Sequence, residues 1–204
     1  MAGSATVLIM RNKAFTLIEI TIVVAIITMM ATIFIANYKG GEKNFALQRS
    51  SNKLGQDLRM VQEMAMSSQE TPQKFGDPVT FPKGGYGIYF EENSSNYLLF
   101  ADCDGGQDYD KSGTALSCYY ADLAPGASIK EKLETLELEE DIFISSVYPS
   151  LPDNSLIITF FPPNPEITIN GDPSIVSATI IITFNGAEAP RTVTVYKTGL
   201  IDID

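Results

Sequence analysis

The chain begins with its strongest hydrophobic pattern, in which apolar residues run almost unbroken from Phe15 to Ala36. About 20 helical residues span the hydrocarbon core of a bilayer, so the pattern predicts a membrane-spanning helix over residues 15–36. The only charged residue within it is Glu19. An acidic side chain at the centre of such a helix costs roughly 3 kcal/mol on insertion scales, and an intramembrane ionisable residue usually has a partner and a function. We therefore expect Glu19 to be a functional charge.

The periodicity changes after residue 36, where apolar residues recur at steps of three and four and charged residues occupy the remaining positions. This spacing predicts an amphipathic continuation of the helix over residues 37–70, ended by Pro72. The predicted apolar stripe contains Phe45, Leu54, Leu58, Met60, Val61, Met64 and Ala65. We expect Met60, Met64 and Met66 to fill the core rather than to bind a cofactor.

Beyond Pro72 the chain consists of short apolar or alternating runs separated by turn residues, which predicts antiparallel strands. Two hairpins are expected, one joining 87–90 to 97–100 and one joining 178–184 to 192–196 through Asn185-Gly186. Further strands are expected at 141–148, 156–161 and 200–203. The charge of residues 130–140 would also suit a helix, but we predict a strand followed by a loop there. The pattern as a whole predicts an α+β protein with a globular, β-rich domain over residues 71–204.

The segment Lys13-Ala14-Phe15-Thr16-Leu17-Ile18-Glu19, with the apolar run behind it, resembles the processing signal of type IV pilins and type II secretion pseudopilins. The resemblance implies that residues 1–14 are a leader and that prepilin peptidase cleaves between Ala14 and Phe15. It also implies N-methylation of Phe15 and pairing of Glu19 with the Phe15 amine of a neighbouring subunit. Two features depart from the family pattern: Ala14 replaces the usual Gly, and the apolar helix lacks the Gly and Pro found in many members.

The same resemblance implies a pilin-like fold, in which a long N-terminal helix packs on an antiparallel sheet. The order and spacing of the C-terminal strands and turns resemble those of minor pseudopilins of the H type. The implied partners are the peptidase, other pilin or pseudopilin subunits, an inner-membrane assembly platform and membrane lipid. The implied location is a single pass through the inner membrane with the C-terminal domain outside the cytoplasm. Translation from Met10 would give a short basic leader of the usual kind.

Two other interpretations of the apolar segment remain open. A membrane-anchored extracytoplasmic binding module that does not polymerise would have a segment of the same length. A secretory signal peptide fits less well, because Phe34-Ile35-Ala36 does not supply the small residues of a cleavage site.

Composition excludes several kinds of function. The chain contains no His, so triads that depend on His and most zinc sites are excluded, and no phosphate-binding glycine loop or nucleophile elbow occurs. We therefore predict that the protein is not an enzyme. The formal net charge is −11, and loss of Arg11 and Lys13 with the leader changes it to −13, which argues against a general nucleic-acid surface.

Two further sites are predicted in the exported part of the chain. Cys103 and Cys118 are the only cysteines, and in that setting they are expected to form a disulfide, although two free thiols remain the alternative. Asp102, Asp104, Asp108 and Asp110 surround Gly105-Gly106 and supply the oxygen ligands that Ca²⁺ prefers. The hypothesis of a structural calcium site stands beside the simpler one of a solvated acidic turn, and no other cofactor is expected.

Overall fold

The computed structural model describes residues 15–70, 81–103, 105, 106, 109, 131–162, 166–185 and 189–204. The chain divides into two compact units, residues 1–42 and 43–204. The described helix is α1 (Leu17–Met66). The described strands are β1 (Gly85–Glu91), β2 (Asn96–Asp102), β3 (Lys132–Glu137), β4 (Ile142–Tyr148), β5 (Ser155–Phe161), β6 (Glu166–Ile169), β7 (Ser177–Phe184), β8 (Arg191–Tyr196) and β9 (Ile201–Ile203). The structure is therefore α+β, as predicted.

The described strands form two antiparallel sheets. One has the order β3-β2-β1-β5-β6 and the other the order β4-β7-β8-β9. Both predicted hairpins are confirmed, because β1 pairs with β2 and β7 pairs with β8. The strand expected within residues 130–140 is confirmed as β3. The sequence pattern missed β6, a strand of only four residues that follows a proline-rich stretch and pairs with β5.

The two sheets are joined by hydrogen bonds between β4 and the turn that connects β1 to β2. The amide of Asn93 donates to the Ile144 carbonyl, and the amide of Ile144 donates to the Ser94 carbonyl. The Glu92 carboxylate accepts a further bond, at 3.1 Å, from the amide of Val147. These bonds pair polar groups along the edge of β4 that would otherwise lie free at the side of the sheet.

The part of α1 that belongs to the second unit packs its inward stripe into the main core. Leu47, Leu54, Leu58, Val61 and Ala65 recur at helical spacing and are buried with the inward side chains of both sheets. The packing ends at a left-handed turn, where Ser68 has φ 51° and the amide of Gln69 bonds to the Met64 carbonyl. This arrangement satisfies carbonyls that the last helical turn leaves open.

Three residues that were predicted to lie in the core are exposed, so the prediction was wrong for them. Phe45 is 63% exposed, Met60 is 39% exposed and Met66 is 52% exposed. Each is next in sequence to a buried apolar residue, and apolar character alone did not show which residue of the pair faces inward. Met64 does pack against the core, as expected.

A second, smaller core lies on the other face of the five-stranded sheet. Tyr89, Phe100 and Ile157 are buried there, and the Tyr109 ring contacts the first two rings at a tilt, with centroid separations of 5.1 and 5.2 Å. Gly87 lies beneath Phe100, since a Cβ at this position would lie 2.3 Å from the ring. The glycine therefore allows the ring to lie flat across the strand pair.

Candidate functional site

The first part of α1 presents apolar side chains on all sides, and none of them is buried within the protein. Leu17–Ile35 has a mean hydropathy of 2.5 and meets the length and composition of a membrane-crossing helix. Every residue from Phe15 to Ile35 is exposed. A helix that is hydrophobic all round belongs in an apolar environment, which a bilayer or a bundle of similar helices provides.

The helix begins at an N-cap, Thr16, three positions before Glu19. The amide of Glu19 donates to the Thr16 side-chain oxygen at 3.3 Å and to the Thr16 carbonyl at 3.1 Å. Thr16 is thus the N-cap, and Glu19 is the third helical residue, where a carboxylate is favoured by the partial positive charge of the helix end. The sequence signal for this cap, Thr-x-x-Glu ahead of an apolar run, was present and was overlooked.

The hydroxyl groups within the apolar segment are satisfied by the helix itself. Thr21, Thr28 and Thr32 each donate a hydrogen bond of 2.8–2.9 Å to the carbonyl three residues earlier. Such bonds let hydroxyls remain in an apolar environment, where an unpaired polar group costs several kcal/mol. Among the described residues of this segment, only the Glu19 carboxylate still requires a partner that could balance its charge.

Glu19 and a stripe of four small residues lie on opposite faces of the helix. Successive residues turn by about 100°, which places Thr21, Ala25, Thr28 and Thr32 along one narrow stripe. The same spacing turns Glu19 about 150° away from that stripe. The segment therefore has one face that allows close helix approach and a different face that carries the charge.

Polar contacts attach the second part of α1 to the domain. Arg49 and Glu139 form a bidentate ion pair with both nitrogen–oxygen distances at 2.8 Å, and the arginine holds the pKa of the glutamate carboxyl below its usual range. Lys53 donates to the Glu137 carbonyl, and the Lys43 amine lies 4.9 Å from the centre of the Phe184 ring.

A hydrogen bond between α1 and β2 lies deeper in the domain. The Tyr97 hydroxyl donates to Oδ2 of Asp57, and the tyrosine itself is 1% exposed. Burial is the main cause that raises the pKa of Tyr97, and the Asp57 carboxylate raises it further. Tyr86 on β1 makes a similar bond of 2.7 Å to the Gln69 carbonyl, and burial raises its pKa to about 12.

The remaining predicted site residues are only partly covered by the described structure. Ala14, Cys118, Asp104, Asp108 and Asp110 lie outside the described residues, so the leader boundary, the disulfide and the calcium site stay predictions. Phe15 and Glu19 are described and exposed.

Asp102 and Cys103 are buried at the end of β2. Oδ1 of Asp102 accepts a bond of 2.7 Å from the amide of Gly105, and the Glu131 carboxylate accepts one of 3.0 Å from the amide of Cys103. Glu131 is 1% exposed, and no sequence motif indicated it.

No protein-family model matches the chain, and no curated protein matches it. Among solved structures, the chain is similar to the minor pseudopilin EpsH from the type 2 secretion system of Vibrio cholerae. The alignment covers 77% of this chain and 94% of that chain, with 14% sequence identity and a TM-score of 0.40. A likeness of this extent assigns neither family nor function, so a functional interpretation rests on the residues of this chain.

Proposed function

We propose that this protein is a structural subunit, minor rather than major, of a type IV pilus or type II secretion pseudopilus. The observation that carries the proposal is the position of Glu19, the only ionisable residue in the exposed apolar segment Leu17–Ile35. The resemblance of residues 13–19 to a prepilin processing signal supports the same assignment. The segment would anchor the subunit in the inner membrane before assembly and pack against neighbouring helices afterwards.

Cleavage between Ala14 and Phe15 by prepilin peptidase would supply the missing partner for Glu19. It creates a terminal amine on Phe15, which remains basic after N-methylation. In an apolar filament core, an amine from one subunit and a carboxylate from the next attract each other far more strongly than in water. The pairing would also remove the cost of leaving either charge alone in an apolar environment.

The two faces of the apolar segment favour a filament over a closed dimer. A neighbouring helix can approach closely along Thr21, Ala25, Thr28 and Thr32, whereas Glu19 lies on the other side of the helix. Contacts that join two different faces are heterologous, and they generate open helical assemblies unless the rotation closes into a ring.

The attachment of α1 to the domain would let the helix carry the domain into the filament. Residues 43–66 share one core with both sheets, and the Arg49–Glu139 and Asp57–Tyr97 contacts add polar connections. When the inner-membrane assembly platform extracts the helix, the folded domain would move with it. The size of the domain beside the helix favours a minor subunit.

A membrane-anchored binding module that does not polymerise is the second candidate, and the position of Glu19 in the first helical turn favours it. The partial positive charge of the helix end stabilises a carboxylate there, and this role needs no neighbouring subunit. Under this alternative, the N-terminus would stay unprocessed and the protein would remain in the membrane.

Two substitutions separate the candidates. The Thr16 cap accepts from the backbone amide of residue 19, so Glu19→Gln and Glu19→Val both keep that bond and remove the charge, while Gln also keeps a polar side chain. We expect both variants to enter the membrane and both to be depleted from sheared filaments of the native host by at least tenfold. Thr16→Ser, which keeps the N-cap oxygen, is the matched control and should assemble normally. Assembly of Glu19→Gln at the wild-type level would contradict charge pairing.

A further inference from the structure

The chain contains an acceptor sequence for N-linked glycosylation. Of all its asparagines, only Asn93 is followed at the second position by Ser or Thr, in the run Asn93-Ser94-Ser95. An asparagine in this setting can receive an oligosaccharide in an exported protein, and the sequence is typical of a surface loop. Glu91, two residues before Asn93, supplies the acidic residue of the longer acceptor sequence that bacterial transferases recognise.

The turn between β1 and β2 presents this sequence at the surface of the domain. Asn93 has φ 60°, in the left-handed region that asparagine adopts more readily than most residues, and it is exposed. Glu91 and Ser95 are exposed as well. Within the part of the chain that the structure describes, no hydrogen bond or ion pair occupies the side chains of Glu91, Asn93 or Ser95. The three side chains that a transferase would bind are therefore accessible together.

The backbone of the same turn is fixed by the domain. The Asn93 amide donates to the Ile144 carbonyl at 2.8 Å, and the Ser95 carbonyl accepts a bond of 2.9 Å from the amide of Leu138. Asn170 differs, because its side chain both donates and accepts hydrogen bonds within the domain. A glycan on Asn93 would extend into solvent without breaking any hydrogen bond of the folded domain that the structure describes, whereas one on Asn170 would break two.

We propose that Asn93 is the attachment site of an N-linked oligosaccharide, which a transferase takes from a lipid-linked phosphate donor on the exported side of the membrane. A bond forms between Nδ2 of Asn93 and the anomeric carbon of the first sugar, while the bond from that carbon to the lipid phosphate oxygen breaks. The lipid phosphate leaves with the electron pair of the broken bond, and one amide proton passes to a base of the transferase. The inference goes beyond the proposed function and requires only that the domain be exported, which both candidate functions share.

Asn154 offers a matched comparison within the same chain. It is exposed and has φ 58°, so it resembles Asn93 in both accessibility and backbone conformation. It is followed by Ser155 and Leu156, and therefore lacks the hydroxyl group at the second position. A sugar on Asn93 but not on Asn154 would thus report recognition of the acceptor sequence rather than exposure of an asparagine.

Glycopeptide mass spectrometry of the full chain from membranes of its native host tests the inference. Ser95→Ala removes the hydroxyl group at the second position, whereas Ser95→Thr keeps one. Because the Ser95 side chain is exposed, both variants should fold, and equal abundance in the membrane checks this. We expect a sugar mass on the peptide that contains Asn93 in the wild type, in Ser95→Thr and in the control Asn154→Asp. Ser95→Ala should carry at least tenfold less.

An unmodified Asn93 in the exported wild-type chain would overturn the inference. A sugar on Ser94, or one that persists on Asn93 in Ser95→Ala, would equally overturn it. The same spectra identify the N-terminus, which separates this inference from the proposed function. A chain that starts at Phe15 with Asn93 unmodified would leave the proposed function standing. A glycosylated chain that starts at Met1 or Met10 would support the inference and contradict the proposed function.

Discussion

Gly55 of α1 lies directly against Ile203 of β9, because a Cβ atom on the glycine would lie 2.4 Å from Cδ1 of the isoleucine. Glycine in a helix interior costs about 1 kcal/mol relative to alanine, so by helix propensity alone residue 55 would weaken the helix. The structure shows that the missing side chain instead allows the helix backbone to approach the last strand. The helix and the C-terminal strand are therefore matched in shape.

We predict that Gly55→Ala destabilises the domain by about 1 kcal/mol despite its better helix propensity, because overpacking typically costs 1–3 kcal/mol. Ile203→Val removes the contacting Cδ1 atom and should make the alanine acceptable. Thermal unfolding of the single and double variants in detergent micelles measures this coupling. Additive effects of the two substitutions would contradict the predicted contact.

The Asp57–Tyr97 hydrogen bond should contribute measurably to stability. Tyr97→Phe leaves the ring in place and removes the only donor that the structure describes for Oδ2 of Asp57. A hydrogen bond to a charged group is worth about 1.5–3 kcal/mol, so we expect a loss in that range and a lower melting temperature. Asp57→Asn, which keeps an acceptor oxygen, should lose less. No loss in Asp57→Asn would show that the charge of Asp57 is not involved, and no loss in Tyr97→Phe would contradict the predicted contribution of the bond.

Tyr86 should make the domain sensitive to alkaline pH. Its pKa is about 12 in the folded protein, compared with a value near 10 in an unfolded chain. Because the unfolded state ionises first, the stabilisation is complete below about pH 10 and is lost as the pH rises towards 12. Tyr86→Phe should flatten this part of the stability–pH curve. A curve with unchanged slope in the variant would contradict the assignment.

The Thr16 cap should order the start of the apolar helix. Thr16→Val removes the side-chain acceptor for the Glu19 amide and should cost about 1 kcal/mol in the first turn, whereas Thr16→Ser should cost little. Amide hydrogen exchange in micelles resolves the difference at Glu19, with roughly fivefold faster exchange expected in the valine variant. Equal exchange in the two variants would place the cap elsewhere.

The sequence correctly predicted those helices and strands whose local hydrophobic pattern matches their burial in the folded domain. The hairpin through Asn185-Gly186 joins two strands of alternating pattern, and it was found with nearly correct bounds. The division into two sheets could not be predicted, because β4 and β5 have similar apolar patterns and separate only through tertiary pairing. The inward direction of α1 was predicted correctly for Leu54 and Leu58 and wrongly for Phe45 and Met60, which lie at the margin of the apolar stripe.

The candidate site was predicted in part for a similar reason. Glu19 stands out in the sequence because a charge interrupts an apolar run, and that signal is local. The contacts that attach α1 to the domain could not be predicted from the sequence, because Arg49 and Glu139 are far apart in the chain and meet only once the helix has packed on the sheet.

The N-terminus of the protein made in its native host is the most direct test of the central claim that this chain is a processed filament subunit. Peptide mass spectrometry of the membrane and sheared-filament fractions identifies the first residue and any modification. The proposal predicts a chain that starts at Phe15 and carries one methyl group on its amine, present in both fractions. A chain that starts at Met1 or Met10 and occurs only in the membrane fraction would contradict the proposal and leave an anchored domain.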